Sequence, residues 1–182
     1  MTEPSTDARR GDPVSATDPP RGRWPAAQPW VSTVLRLALA VILLWAGGAK
    51  VGDLPASVRA VRAFEILPEV LAKPVGYGLP VLEVALGLLL LGGLLTRYAA
   101  LLSALLMAGF VVGIVAAWAR GLSIDCGCFG GGGPTDPANT QYPLEIARDL
   151  AILAGALVLA RWPRTRYSLD TSLGLVAPSA QA

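Results

Sequence analysis

The sequence predicts an all-α integral membrane protein, a four-helix bundle with a short amphipathic surface helix between its first two spans. Three observations carry this reading. The 182 residues are 53% hydrophobic and only 15% charged, with a mean hydropathy of +0.53, whereas a soluble domain is nearer about a quarter charged. Four apolar runs, over 30–49, 76–95, 98–118 and 144–162, each approach the ~20 residues that a helix needs to cross hydrocarbon. The first, third and fourth runs carry tryptophan or tyrosine at an end, as membrane-interface belts do.

Composition also removes several kinds of chemistry. The chain has no histidine, and so no imidazole for haem, zinc or general-base work. Its two cysteines cannot fill a four-cysteine zinc or iron–sulfur site. No metal site is therefore expected.

Residues 1–28 are rich in Pro, Ser, Thr, Asp and Arg and lack apolar periodicity. Such a segment buries too little to offset its ordering entropy, so a disordered cytoplasmic tail is expected. It is too long and too acidic for the n-region of a signal peptide, and the apolar run after it exceeds an h-region. That run is expected to stay in the mature protein as the first span of a membrane domain over 30–162. Arg36, on its inner half, is expected to snorkel to the cytoplasmic interface.

The stretch 53–73 is too polar to cross. Pro55 suits a helix's first turn. Val58, Val61, Phe64, Ile66 and Leu67 form an apolar side, with Arg59, Arg62 and Glu65 between them. A surface helix ending near Pro68 follows. Only Thr96 and Arg97 separate the second and third spans, which requires a tight antiparallel hairpin. Gly109, Gly113 and Ala117 on the third span, and Ala147, Ala151 and Gly155 on the fourth, recur four apart and would let helices approach closely. Residues 163–182 are expected to be a flexible tail.

An even number of spans puts both termini on one side. That side holds Arg21, Arg23, Arg97, Arg161, Arg164 and Arg166, against Lys50, Arg59, Arg62, Lys73 and Arg120 on the other. The positive-inside rule then gives a multi-pass plasma-membrane protein with cytoplasmic termini and the 119–143 loop outside.

That loop holds the only two cysteines, in Asp125-Cys126-Gly127-Cys128-Phe129-Gly130, continuing into Gly131, Gly132 and Gly133. A disulfide between Cys126 and Cys128 would close a small strained ring, which raises its reduction potential. Gly127 supplies the backbone freedom such a ring needs, and an outer face is an oxidising compartment. Thiolate formation is favoured by cations; Arg120 is the nearest in sequence, while Asp125 opposes it. Two charges inside spans are expected to meet beneath this loop. At 1.5 Å per residue, Glu83 lies about 10 Å below the start of its run and Arg148 about 7 Å below Pro143. Lys50, Asp53 and Glu145 lie near the same level. A Glu83–Arg148 pair would either fix helix register or shape a polar pocket that carries protons under the thiols.

The order of features resembles the DoxX-like membrane proteins, and in particular the methylamine-utilisation MauE family. The matching stretches are LWAGGAKVGD (44–53), Ile66-Leu67-Pro68, LPVLEVALGLLLLGGLLTR (79–97), IDCGCFG (124–130) and Arg148-Asp149-Leu150. The resemblance spans about 31–162. It implies a four-helix membrane protein linked to maturation of methylamine dehydrogenase, with a role in disulfide formation or thiol transfer. Cys126 and Cys128 would be the redox pair, supported by Lys50, Asp53, Glu83 and Arg148.

The leading expectation is a thiol–disulfide oxidoreductase embedded in the lipid bilayer, acting on an extracytoplasmic thioredoxin-like or disulfide-containing protein. A membrane quinone is a candidate electron acceptor by fold-level analogy. The alternative is a non-enzymatic assembly factor or subunit that binds a partner through the Cys-Gly loop. Nothing points to nucleic acid. A transporter has less support, since there is no evident inverted repeat and no span broken at mid-membrane.

Overall fold

The computed structural model describes residues 24–163, 165 and 168–172, so most of the expected N-terminal tail and residues 173–182 lie outside it. The order of elements is α1 (Trp24–Val51), α2 (Leu54–Ala63), α3 (Glu69–Gly92), α4 (Thr96–Ala119), β1 (Ile124–Asp125), β2 (Gly133–Pro134), a 3₁₀ turn (Pro137–Asn139), α5 (Tyr142–Arg161) and α6 (Leu169–Ser172). Three helices are long and apolar enough to cross a membrane, namely α1 from Ala27, α3 and α4. The fourth expected span is present as the helix α5. It differs from the other three in carrying Glu145, Arg148 and Asp149 within its first eight residues.

The long helices pack as two tight pairs, α1 against α3 and α4 against α5, with α1–α5 and α3–α4 contacts joining them. Leu39, Leu43, Leu86, Leu90, Met107 and Leu159 fill the space between them and are almost wholly buried. The outward faces remain apolar, with Val34, Val41, Val81, Leu105 and Val112 exposed. Water would not tolerate that surface, and lipid does.

The second run starts earlier than its hydropathy indicates. α3 begins at Glu69, seven residues before Gly76, with Pro68 extended at its N-cap and Pro74 accommodated inside the helix. Its first half packs on α2 and its second half on α1. A Cβ on Gly76 would fall 2.6 Å from Val58 Cα. Farther along, a Cβ on Gly47 would meet the Pro80 carbonyl oxygen at 2.9 Å, and one on Gly87 would meet Leu44 Cγ at 2.7 Å. The close helix approach is therefore made between α1 and α3. Of the residues expected to make it on α4 and α5, Gly109 has open space beside it and Ala147 and Ala151 face outward, whereas Gly113 and Ala117 are buried. Small residues let backbones meet only where the rotation of the helix presents them to a neighbour.

The surface helix is shorter than expected. α2 ends at Ala63, and Asp53 caps it by accepting the Ala56 N–H at 3.0 Å. Arg120 closes the other end, donating to the carbonyls of Phe64 and Glu65. Arg36 does not snorkel. It is 2% exposed and donates to the carbonyls of Leu90 and Leu91 at 3.3 and 3.4 Å. These carbonyls belong to the C-terminal turn of α3, where orphan acceptors and the helix dipole both favour a cation.

The turn from α3 to α4 uses Gly93 at φ +63° and Leu95 at φ +50°. Within the C-terminal segment expected to be flexible, α6 docks on this turn. Asp170 accepts the N–H groups of Leu95 and Thr96 at 2.7 and 2.9 Å, so a residue 74 positions away caps α4.

A Gly47→Ala variant should lose about 1–3 kcal/mol of stability, because the added carbon meets backbone that cannot yield. Gly48→Ala, whose Cβ meets nothing within 4 Å, should be neutral or slightly stabilising. Thermal unfolding of the two variants in detergent tests the difference.

Candidate functional site

The cysteine loop is a small hairpin folded back onto the bundle. β1 and β2 pair antiparallel, Ile124 opposite Pro134 and Asp125 opposite Gly133, and the Thr135 N–H to Ser123 carbonyl bond extends the ladder. The tip between the strands lies against α2, so closely that a Cβ on Gly132 would be 2.7 Å from Ala60 Cβ and 2.8 Å from Gly127 Cα. Gly127 and Gly132 have φ of +66° and +90°. Only glycine meets both demands, a left-handed backbone and no side chain. Asp125 Oδ1 accepts the Gly127 N–H at 2.9 Å and tightens the turn. Phe129 rests edge-on against Trp45 of α1, ring centroids 6.1 Å apart.

Tyr142 anchors the hairpin from beneath. Its hydroxyl donates to the Leu122 carbonyl at 2.6 Å and accepts the Ile124 N–H at 2.9 Å. The residue is 5% exposed and packs with Ile114, Ala117, Ile124 and both cysteines. The thiols therefore lie under the hairpin, Cys126 8% and Cys128 7% exposed, rather than open on a rim.

Both cysteines are reduced, and their surroundings differ. Cys126 Sγ accepts the Cys128 N–H at 3.3 Å and faces Arg148 Nη2 at 3.6 Å. The hydrogen bond from the Cys128 thiol holds the Cys126 thiol below its ordinary range, with the Cys128 N–H and Arg148 acting the same way; burial and the Glu145 charge oppose them. Cys128 is pushed well above the thiol range, because it donates to Cys126, is buried, and faces the charges of Cys126 and Asp149. The two thiols are thus pushed in opposite directions, Cys126 towards the thiolate and Cys128 away from it.

Arg148 is the cation that matters, whereas Arg120 is committed to the end of α2. The Arg148 guanidinium donates to Asp149 Oδ1 at 2.9 Å and stacks 4.8 Å from the Phe129 ring centroid. The expected Glu83–Arg148 pair does not form. Glu83 instead accepts from Lys50 Nζ at 2.6 Å, with side-chain exposures of 1% and 9%. Lys50 also lies 5.5 Å over the Phe110 ring. Asp53, capping α2 and facing Arg59 at 3.6 Å on the surface, stays outside this cluster. Of the expected supporting residues, Arg148 touches a thiol, Lys50 and Glu83 form a buried pair within electrostatic range of Asp149, and Asp53 is a helix cap.

The sequence reading passed over Tyr142, Phe129 and Asp149 as site residues. One signal was present: Glu145, Arg148 and Asp149 are spaced i, i+3, i+4 and share a helix face. The ligand atoms of Asp125, Cys126 and Glu145 all lie within 4.8 Å of one another. The Arg148 guanidinium, beside the same sulfur, disfavours a metal ion there by charge repulsion.

The sequence profile of the family described as methylamine utilisation protein MauE matches residues 28–161. The chain belongs to the MauE family. It is 33% identical over 137 residues to the methylamine utilization protein MauE of Paracoccus denitrificans, covering 73% of this chain and 70% of that relative. No solved structure matches. The MauE match includes α1, α3, α4, the cysteine hairpin and α5, and with three candidate spans it makes this a multi-pass membrane protein.

Two expectations follow. In a Cys128→Ser background, Cys126 should alkylate with iodoacetamide at neutral pH at least about tenfold faster than Cys128 does in a Cys126→Ser background. Because Arg148 helps hold the Cys126 thiol low, Arg148→Gln should move the alkylation midpoint of Cys126 to higher pH. Separately, Lys50→Met or Glu83→Leu alone should destabilise by about 3–5 kcal/mol by leaving an unpaired buried charge, and the double variant should recover most of that. Thermal melts of all three in detergent read this cycle.

Proposed function

We propose that this MauE-family protein carries out thiol–disulfide exchange with extracytoplasmic proteins through Cys126 and Cys128. The observation that carries the reading is the asymmetric pair: a sulfur facing a guanidinium at 3.6 Å and a backbone N–H at 3.3 Å, beside a second thiol without that cation contact. This is what exchange requires, an attacking thiolate and a resolving thiol. Cys126 attacks one sulfur of a partner disulfide, that S–S bond breaks, and a mixed disulfide remains. Cys128 then attacks Cys126 Sγ, releasing the second partner thiol and leaving Cys126–Cys128 oxidised. Two electrons pass from the pair to the partner; in the reverse sequence the pair oxidises a partner dithiol.

The placement belongs to the same proposal. α5 acts as a fourth span in a DoxX-like bundle, its charged first turns meeting the buried Lys50–Glu83 pair rather than lipid. The arginine bias then sets the termini in the cytoplasm of the plasma membrane and the hairpin outside. The relative's name ties that protein to methylamine utilisation, and we extend the association to this chain as support for disulfide-bearing proteins of such a pathway. An apolar cavity of ≈ 430 Å³ opens between α2, α3 and α4, walled by Phe64 and Phe110 and by Leu79, Leu82, Leu102 and Leu105. It suits the isoprenoid chain of a membrane quinone, which would supply a two-electron acceptor. The lining offers the quinone carbonyls no hydrogen-bond donor, so no step is assigned to it.

The burial of both sulfurs favours a second reading, in which the hairpin is a partner-binding surface of a non-enzymatic assembly factor. The two diverge in one experiment. With exchange, Cys128→Ser should accumulate a mixed disulfide through Cys126 in cells, detected as a reducible mass shift, and Cys126→Ser should trap little. If no adduct forms, and the double serine variant supports the cell as the unaltered protein does, the exchange reading is wrong and the binding reading stands.

A further inference from the structure

Two side chains of α5 approach Cys126. Arg148 Nη2 lies 3.6 Å from its sulfur. The Glu145 carboxylate, one turn earlier on the same helix, lies within 4.8 Å of that sulfur, and Glu145 Oε2 is buried without a hydrogen-bond partner. Glu145 stands in the first turn of α5, where an acid commonly does no more than complement the helix dipole. Here it also has a buried oxygen without a hydrogen-bond partner, together with electrostatic contact to Cys126. The other charges facing it are Asp125 on the hairpin and Arg148 and Asp149 on its own helix, with Lys50 of α1 behind Asp149.

We propose that Glu145 is the proton carrier for Cys126, taking its proton when the thiolate forms and returning it to the thiolate that departs from the partner. The proposal rests on the exchange reading above. The proton balance is complete: Cys126–SH and the Glu145 carboxylate give thiolate and carboxylic acid. The thiolate forms a new S–S bond to the partner while the partner's own S–S bond breaks. The leaving thiolate then collects the proton held on Glu145. Distances somewhat longer than a hydrogen bond are usual for such a group before its substrate arrives.

Glu145→Gln separates proton transfer from folding and from helix capping. The protein is assayed in membranes in the Cys128→Ser background, with glutathione disulfide as the exchange probe and iodoacetamide as the alkylation probe. Alkylation needs no proton for a departing thiolate, so its rate in Glu145→Gln should hold or rise, since a negative charge beside Cys126 has gone. Exchange should fall by about 10²-fold, and its pH–rate profile should lose the limb that declines at high pH as the acid is consumed. Glu145→Asp should restore part of the rate. Equal exchange rates and profiles in Glu145→Gln and its parent would overturn the proposal, as would a parallel fall in both reactions. A parent protein that alkylates but never reacts with glutathione disulfide would instead bring down the exchange reading itself.

Discussion

Placement of the Arg148 guanidinium sets the surroundings of the Cys126 thiol. A single planar cation reaches Asp149, the Cys126 sulfur and the face of Phe129 at once. A lysine could not make all three contacts, because a point charge neither forks nor stacks. The arrangement has structural consequences as well. The hairpin must fold down far enough to bring its sulfur to α5, and that brings Gly127 and Gly132 against Ala60 of α2. Tyr142, about one turn before Glu145 and two before Arg148, fixes the height of the hairpin through two backbone bonds. Thiol, cation and clamp are thereby referred to the first two turns of one helix.

The frame beneath is built to keep charge satisfied where water is scarce. At the hairpin end, Lys50 and Glu83 neutralise each other inside the α1–α3 pair, an arrangement in which loss of either partner is far more costly than loss of both. At the opposite end, Arg36 takes the C-terminal carbonyls of α3, and Asp170 takes the first N–H groups of α4. Both clusters satisfy groups that helix ends leave open. The tight α1–α3 contact through Gly47 and Gly87 gives the molecule a rigid side. The α2–α3–α4 face, with its apolar cavity, is more loosely filled.

The sequence read well where a signal is local. Runs of apolar residues mark helices regardless of what they pack against, and α1, α3 and α4 were found there. Pro55 stands in the first turn of α2 as local helix chemistry requires. The thiol pair was evident as the chain's only cysteines. Errors came where a residue's role depends on which way a helix is turned. Gly109 and Gly113 have the spacing of a packing stripe, yet it is Gly47 and Gly87, on two different helices, that meet a neighbouring backbone. Arg36 had the look of a snorkelling residue because the carbonyls it serves lie 54 and 55 positions away.

The sequence alone determined that this chain is helical and membrane-borne, and that whatever redox chemistry it has resides in Cys126 and Cys128. Hydropathy and residue type decide those points without reference to long-range contacts. The tertiary structure decided the partners: Lys50 for Glu83, Arg148 for Cys126, Asp170 for the start of α4. Helices that are apolar on nearly every face carry little record of their rotation or register, so the pairing of their few charges is settled only when the bundle closes. The same closure gives two thiols one residue apart different surroundings, with Arg148 against the Cys126 sulfur, a distinction the motif itself does not contain.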